Sequence, residues 1–488
     1  MRYSSDGDST WAATVAGVNP VGLVHDGPGN VYTATTTYPE PPDWRVAKVG
    51  PFGDVVWELG ISGPSGSRDL ASSIAISGGD ALYVAGQWSD SREHCMLARV
   101  ATGGSVAWKR FFDGPGDEND GSIPEGALAM SGDRVCLFAS EWAVGGHLDW
   151  SVRMLGPNGA EVWRRTLAGF TDPESMPTDI VLDESGAPIV AGYVESAGGA
   201  ADITATAYDA DGVLRWSRRS QGLGYLGTGT SIGRDDNGGV YVSGSAQNSS
   251  PDITLKKYNS AGSLVWSAGY NGPAGKDDYA WASVVTGLGA TYITGSSVAS
   301  GSDYDMTTWK YYPSGALQWV RRYAGPGCLQ SNRTDRGIAA CLTEDSGVIV
   351  AGKEDTGTPC EAGMVTIKYS PDGTAQWTAH HAVSGWHAEP ADVAADGSGV
   401  YVLGYVYNGT AVLLKYGHSG ALAWSATMSS SHPGAYLGLG EIVLGPDGNA
   451  YLCGSESDSL GSGYVVASVD GAGVERWRTT LFYEPGFW

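Results

Sequence analysis

A Trp preceded four residues earlier by a Gly recurs ten times along the chain. The pairs are Gly7/Trp11, Gly53/Trp57, Gly104/Trp108, Gly159/Trp163, Gly212/Trp216, Gly262/Trp266, Gly315/Trp319, Gly373/Trp377, Gly420/Trp424 and Gly473/Trp477. Successive Trp residues lie 46 to 58 positions apart. A unit of that length, repeated end to end, is one supersecondary element that cannot bury its apolar face alone and must stack on its copies. The repeat therefore overrides the three-domain expectation that 488 residues would otherwise carry.

Each unit contains short runs rich in Val, Ile, Thr and Tyr, separated by Gly, Pro, Asn, Asp and Ser clusters, which is the pattern of strands and turns. No stretch sustains a helical period. Strand A precedes a Gly-rich turn, as at residues 72–77 and 180–183. Strand B is a VYVAG-like run, as in LYVAG from Leu82, TYITG from Thr291, VIVAG from Val348 and VYVLG from Val400, with a degenerate copy, VCLFAS, from Val135. Strand C ends in Lys-Tyr, as at Lys257/Tyr258 and Lys310/Tyr311. Strand D carries the Trp, after a tight C–D turn in which Gly supplies a positive φ. Four antiparallel strands in many units predict an all-β chain, a single β-propeller of about nine four-stranded blades over residues 1–488. Nine complete repeats span 17–481. A half-repeat at 1–16 is left over as a closing or extra outer strand, and 482–488 form a tail. Trp57, Trp108, Trp163, Trp216, Trp266, Trp319, Trp377, Trp424 and Trp477 are then structural anchors with buried rings.

The repeats DITLKKYNSAGSLVW from Asp252 and DMTTWKYYPSGALQW from Asp305 resemble the bacterial β-propeller repeats of SBBP type. More distantly, the pattern is similar to the tryptophan-docking repeat of quinoprotein propellers. The resemblance covers nearly the whole chain and implies a scaffold found in secreted proteins of varied roles. Quinoprotein dehydrogenases hold their cofactor against two adjacent cysteines, and here no two cysteines are neighbours. No quinone cofactor is expected.

A formal charge of −24 argues against nucleic acid or an anionic membrane as partner, since both need positive potential. No run approaches the 18 apolar residues of a membrane-spanning helix. The polar opening MRYSSDGDST reads as the inside of a repeat rather than a leader. The family resemblance and the Gly/Ser/Thr-rich, Lys-poor loops favour an extracellular or secreted protein. Cys95, Cys136, Cys341 and Cys453 fall within strands as small apolar residues. Cys328 and Cys360 fall in two loops on one face of the seventh unit and are expected to form a disulfide.

In such a meander the A–B and C–D turns share one face, and the B–C and D–A loops share the other. The second set varies in length and composition, which makes its face the expected functional surface. It is acidic: four D–A loops end at Asp69, Asp120, Asp278 and Asp335, near the expected channel mouth. Two readings stand open for these carboxylates, capping of backbone amides and attraction of Ca2+ or cationic ligands. Asp113, Asp117, Glu118 and Asp120 form the densest oxygen cluster, without the EF-hand spacing. Trp88, Trp142, Trp281 and Trp386 lie outside the repeat register and map to the same face, with Tyr225, Tyr279 and Tyr436 near them. Exposed aromatics beside carboxylates suit stacking on sugar rings; packing under long loops is the plainer alternative. The expected function is a non-catalytic scaffold that binds carbohydrate or a cell-surface or protein partner. The alternative is a carbohydrate-active enzyme, a glycoside hydrolase or lyase, with carboxylates at the channel mouth. No HExxH or P-loop pattern is present.

Overall fold

The computed structural model describes residues 22–37, 43–64, 68–78, 81–89, 92–112, 123, 127–143, 147–167, 175–196, 200–220, 231–247, 251–298, 304–325, 334–356, 361–430, 435–457 and 461–485. Nine four-stranded sheets follow one another, each an antiparallel meander of strands A, B, C and D in chain order. They span 23–61, 68–112, 128–167, 175–219, 231–270, 278–323, 336–381, 388–429 and 436–485, here blades 1 to 9. No helix occurs among the described residues. The fold is a nine-bladed β-propeller, as the repeat count predicts. The half-repeat at 1–16, with Gly7 and Trp11, lies outside the described residues. Strand A starts earlier than its apolar run suggested, at Arg68 in Arg68–Ser77 and at Ser175 in Ser175–Leu182. The last strand, Glu475–Pro485, continues past residue 481.

Chain contacts divide into two compact units. One holds blades 1–3, most of blade 4 and most of blade 9; the other holds blades 5–8. In the first unit the final blade packs on the first: Tyr451, Cys453 and Val466 share a buried cluster with Leu23, Val31 and Ala47.

The repeated Gly does more than turn the chain. It has positive φ, +74° at Gly159 and +87° at Gly315, and it also seats the Trp of the preceding blade. At seven seams a Cβ on this Gly would come within 2.4–2.7 Å of that ring: Gly53 on Trp477, Gly104 on Trp57, Gly159 on Trp108, Gly212 on Trp163, Gly315 on Trp266, Gly373 on Trp319 and Gly420 on Trp377. The indole Nε1 then donates to a carbonyl of the same turn, as from Trp57 to Thr102 at 2.9 Å, Trp108 to Pro157 at 2.8 Å and Trp477 to Pro51 at 3.1 Å. Trp163, Trp216 and Trp319 are buried as expected, whereas Trp57, Trp108, Trp266, Trp377, Trp424 and Trp477 are only half-buried.

A second repeated device places the candidate site. Strand A carries a one-residue bulge at Ser72, Thr178, Trp281, Ile338 and Ala391, each opposite the Gly that closes the VYVAG-like run. At that Gly the bulged backbone comes very close. A Cβ would lie 2.1 Å from Leu70 O at Gly86, 1.8 Å from Tyr279 O at Gly295 and 2.5 Å from Arg336 O at Gly352. The Gly is needed so that the bulge can form, and bulges re-aim the side chain they carry.

Candidate functional site

Blade 6 places Trp281 on such a bulge, in strand A (Asp278–Val285), with 44% of its surface exposed. The Arg336 guanidinium, from strand A of blade 7 (Arg336–Leu342), lies over the indole at 5.4 Å from the centroid. Its Nη2 donates to Glu389 Oε2 at 2.9 Å. Glu389 opens strand A of blade 8 (Ala388–Asp396) and is almost wholly buried. Its Oε1 pairs with Lys353 Nζ at 2.8 Å. The hydroxyls of Tyr405 and Tyr407 also donate to this carboxylate, at 3.2 and 3.4 Å. Burial pushes Glu389 upward, but the Lys353 and Arg336 charges outweigh it and hold the carboxyl below the usual range. Blades 7 and 8 thus converge on one buried carboxylate that holds two cations, and one of these, Arg336, lies against the open Trp281 ring of blade 6.

Further aromatics lie on blades 6, 8 and 9. Trp386, in the loop entering blade 8, is 47% exposed. The next residue, His387, accepts the Ala362 N–H on Nδ1 at 2.8 Å and meets the Tyr407 ring edge-on at 5.8 Å. Tyr436, 62% exposed, leans over the B–C turn of blade 8, where a Cβ on Gly409 would lie 3.0 Å from its ring. Tyr279 is half-buried and shares Asp277 with Tyr304.

Other expected site residues fall elsewhere. Trp88 is buried, stacked on His94 at 4.2 Å and edge-on to Phe111 at 5.6 Å. Trp142 belongs to strand B of blade 3 (Arg134–Ala143), and its side chain lies outside the described residues. So do Tyr225, the cluster Asp113, Asp117, Glu118 and Asp120, and both Cys328 and Cys360. Among the described residues no group of three His, Cys, Asp or Glu is arranged to hold a metal ion, and no helix is long and apolar enough to cross a membrane.

The D–A loop carboxylates turn inward. Asp69, Asp278 and Asp335 are buried, and each accepts the N–H of the Gly that opens its own Gly-Pro loop: Gly63 at 2.5 Å, Gly272 at 2.6 Å and Gly325 at 2.7 Å. They act as loop clasps. Burial pushes both Asp278 and Asp335 up to about 6, against the contrary pull of those amides. A carboxyl raised in the folded state binds more protons there than in the unfolded chain between pH ~4 and 6, so stability falls as pH rises through that window. Asp278→Asn keeps an oxygen for Gly272 and removes the titration. It is expected to flatten the decline of melting temperature between pH ~4 and 6; an unchanged slope would assign the decline to other groups.

Arg336, Lys353, Glu389, Tyr405 and Tyr407 are not among the expected site residues. A signal was present. Following the strand B Gly or its equivalent, blades 1–9 carry Thr36, Gln87, Ser140, Tyr193, Ser245, Ser296, Lys353, Tyr405 and Ser455, and Lys353 alone is charged.

No known family pattern matches the chain, and no curated protein matches it in sequence. In three dimensions it is similar to a crystal structure of a eukaryotic initiation factor, over 93% of this chain and 96% of that one, at 8% identity and TM-score 0.53. It also aligns with apo AztD from Citrobacter koseri (93% and 95% covered, 10% identity, TM-score 0.40). A third match is the β-propeller domain of the Trilobed protease from Pyrococcus furiosus (72% and 97%, 8%, TM-score 0.36). At such identities likeness speaks to fold alone, and the class, a β-propeller, is defined by the nine four-stranded sheets themselves.

Proposed function

We propose that this chain is a secreted bacterial propeller of SBBP-type repeats that binds carbohydrate on the loop face of blades 6–8, with Trp281 as the stacking platform. One observation carries the reading: a bulge presents Trp281 with much of its surface open, and Arg336, itself fixed by Glu389, lies against the ring. A large indole held rigid loses little freedom on binding and desolvates a wide area, which is what sugar faces and interface anchors need. Trp386, Tyr407 and Tyr436 extend the exposed aromatic surface. The repeat type is supported by the Asp, Lys-Tyr, Gly and Trp offsets in blades 5 and 6.

Trp281→Ala is expected to weaken glycan binding at least tenfold, about 1.4 kcal/mol, with far-UV circular dichroism and melting temperature unchanged. Glycan-array hits followed by calorimetry on the wild type and the variant are the measurement; equal affinities would sink the reading. A catalytic version rests on Tyr407 and His387 beside Arg336 and Lys353, a Tyr/His/cation set suited to a lyase. Release of shorter oligosaccharides from a bound polymer is its test.

A further inference from the structure

We infer that the glycan seated on Trp281 is acidic, a uronate whose carboxylate is read by Arg336 and Lys353; this rests on the Trp281 platform proposed above. The chain is poor in cations, with 29 Lys and Arg against 53 Asp and Glu. Two of these cations nevertheless face each other across strands A and B of blade 7, since Arg336 is the register partner of Lys353. Like charges placed directly opposite destabilise a sheet. The arrangement persists because Glu389 takes one bond from each, at 2.9 and 2.8 Å.

One buried carboxylate between two cations leaves a net positive charge, and it leaves donors over. Arg336 engages Glu389 through Nη2 alone, so its Nη1 keeps its donors. An ammonium has three donors, and the Lys353 bond to Glu389 uses one of them. Both side chains keep partial exposure. The neighbouring carboxylates are engaged elsewhere: Asp335 accepts the N–H groups of Gly325 and Asp355, and Asp355 accepts that of Thr334. Tyr405 and Tyr407 already donate to Glu389. What the cluster lacks is an acceptor-rich anion within reach of the Trp281 ring. A hexuronate satisfies both needs, with an apolar pyranose face for the indole and a planar carboxylate for a guanidinium. The chain's overall −24 charge does not forbid this, because charges beyond about 10 Å are largely screened at physiological salt.

The test compares an oligogalacturonate with its carboxyl-reduced, neutral counterpart, on wild type and on Lys353→Gln. Lys353→Gln leaves Glu389 its bond from Arg336, and thermal melting checks the fold. Wild type is expected to prefer the acidic ligand by at least about tenfold, and Lys353→Gln to lose most of that preference while still binding the neutral sugar. Equal binding of the two ligands by wild type overturns the uronate assignment and leaves the platform standing, as does a preference that survives Lys353→Gln in a folded variant. A sulfated neutral glycan binding in place of the uronate overturns the carboxylate assignment alone. Failure of every ligand, with no effect of Trp281→Ala, removes both proposals together.

Discussion

Gly295→Ala is expected to be among the most damaging single substitutions in the chain, costing about 3 kcal/mol or more and abolishing binding at the Trp281 face. Its Cβ would lie 1.8 Å from the Tyr279 carbonyl oxygen and 2.9 Å from the carbonyl carbon. Those are backbone atoms in a paired strand, so no side-chain rotation relieves the clash. Overpacking a core by a methyl group typically costs about 1–3 kcal/mol, and here relief requires undoing the bulge that aims Trp281. Gly103→Ala is the control, since nothing lies within 4 Å of a Cβ there. Denaturant unfolding of the two variants decides the matter: comparable midpoints would mean that the bulge is slack and the close approach unimportant.

The second large effect is expected from Trp319→Ala. This ring is buried, lies on Gly373, and has Tyr292 at 5.8 Å and Tyr369 at 5.6 Å. Its Nε1 donates to Pro371 O at 3.2 Å, and the Arg321 guanidinium lies 5.5 Å over its ring. Truncating a buried aromatic of this size costs about 3–5 kcal/mol, transfer and cavity together. Pro371 O keeps the Lys310 ammonium as a partner, so the loss is one of packing rather than of an orphaned carbonyl. Chemical denaturation should show the loss in the midpoint at an unchanged slope. A change below about 1 kcal/mol would mean that the seam collapses onto the gap.

Residues close in sequence and stereotyped in spacing were legible in advance. The C–D turn, the strand B runs and the Gly–Trp offset are local patterns, and the nine four-stranded blades follow from them. The seat that Gly373 makes for Trp319 was not visible, because the partners are 54 positions apart and nothing in either motif points to the other. Nor was the strand A bulge, since the bulged residues Ser72, Thr178, Trp281, Ile338 and Ala391 share no residue type that would mark an extra position. The same blindness applies to the site. Trp88 and Trp281 look alike as out-of-register aromatics, yet His94 and Phe111 cover the first, and a bulge turns the second outward. Asp278 and Asp335 read equally well as ligands for a cation or as clasps. Only the placement of the Gly-Pro amides distinguishes the two. Glu389 sat unremarked in AEPAD because its importance lies in partners contributed by two blades.

The Trp-on-Gly seam also bears on how such chains change over time. At each of the seven seams described above, a turn with a bare Gly meets the indole of the blade before it. The residues that meet are the same at all seven, so the joint there does not depend on which two blades are joined. A duplication or excision of about fifty residues, cut anywhere at a constant phase of the repeat, would bring together two edges that already fit. Blade number can then drift without any interface having to be reinvented, while single substitutions at bulge positions such as 281 alter what the surface holds. Architecture and recognition are thereby free to evolve on separate schedules.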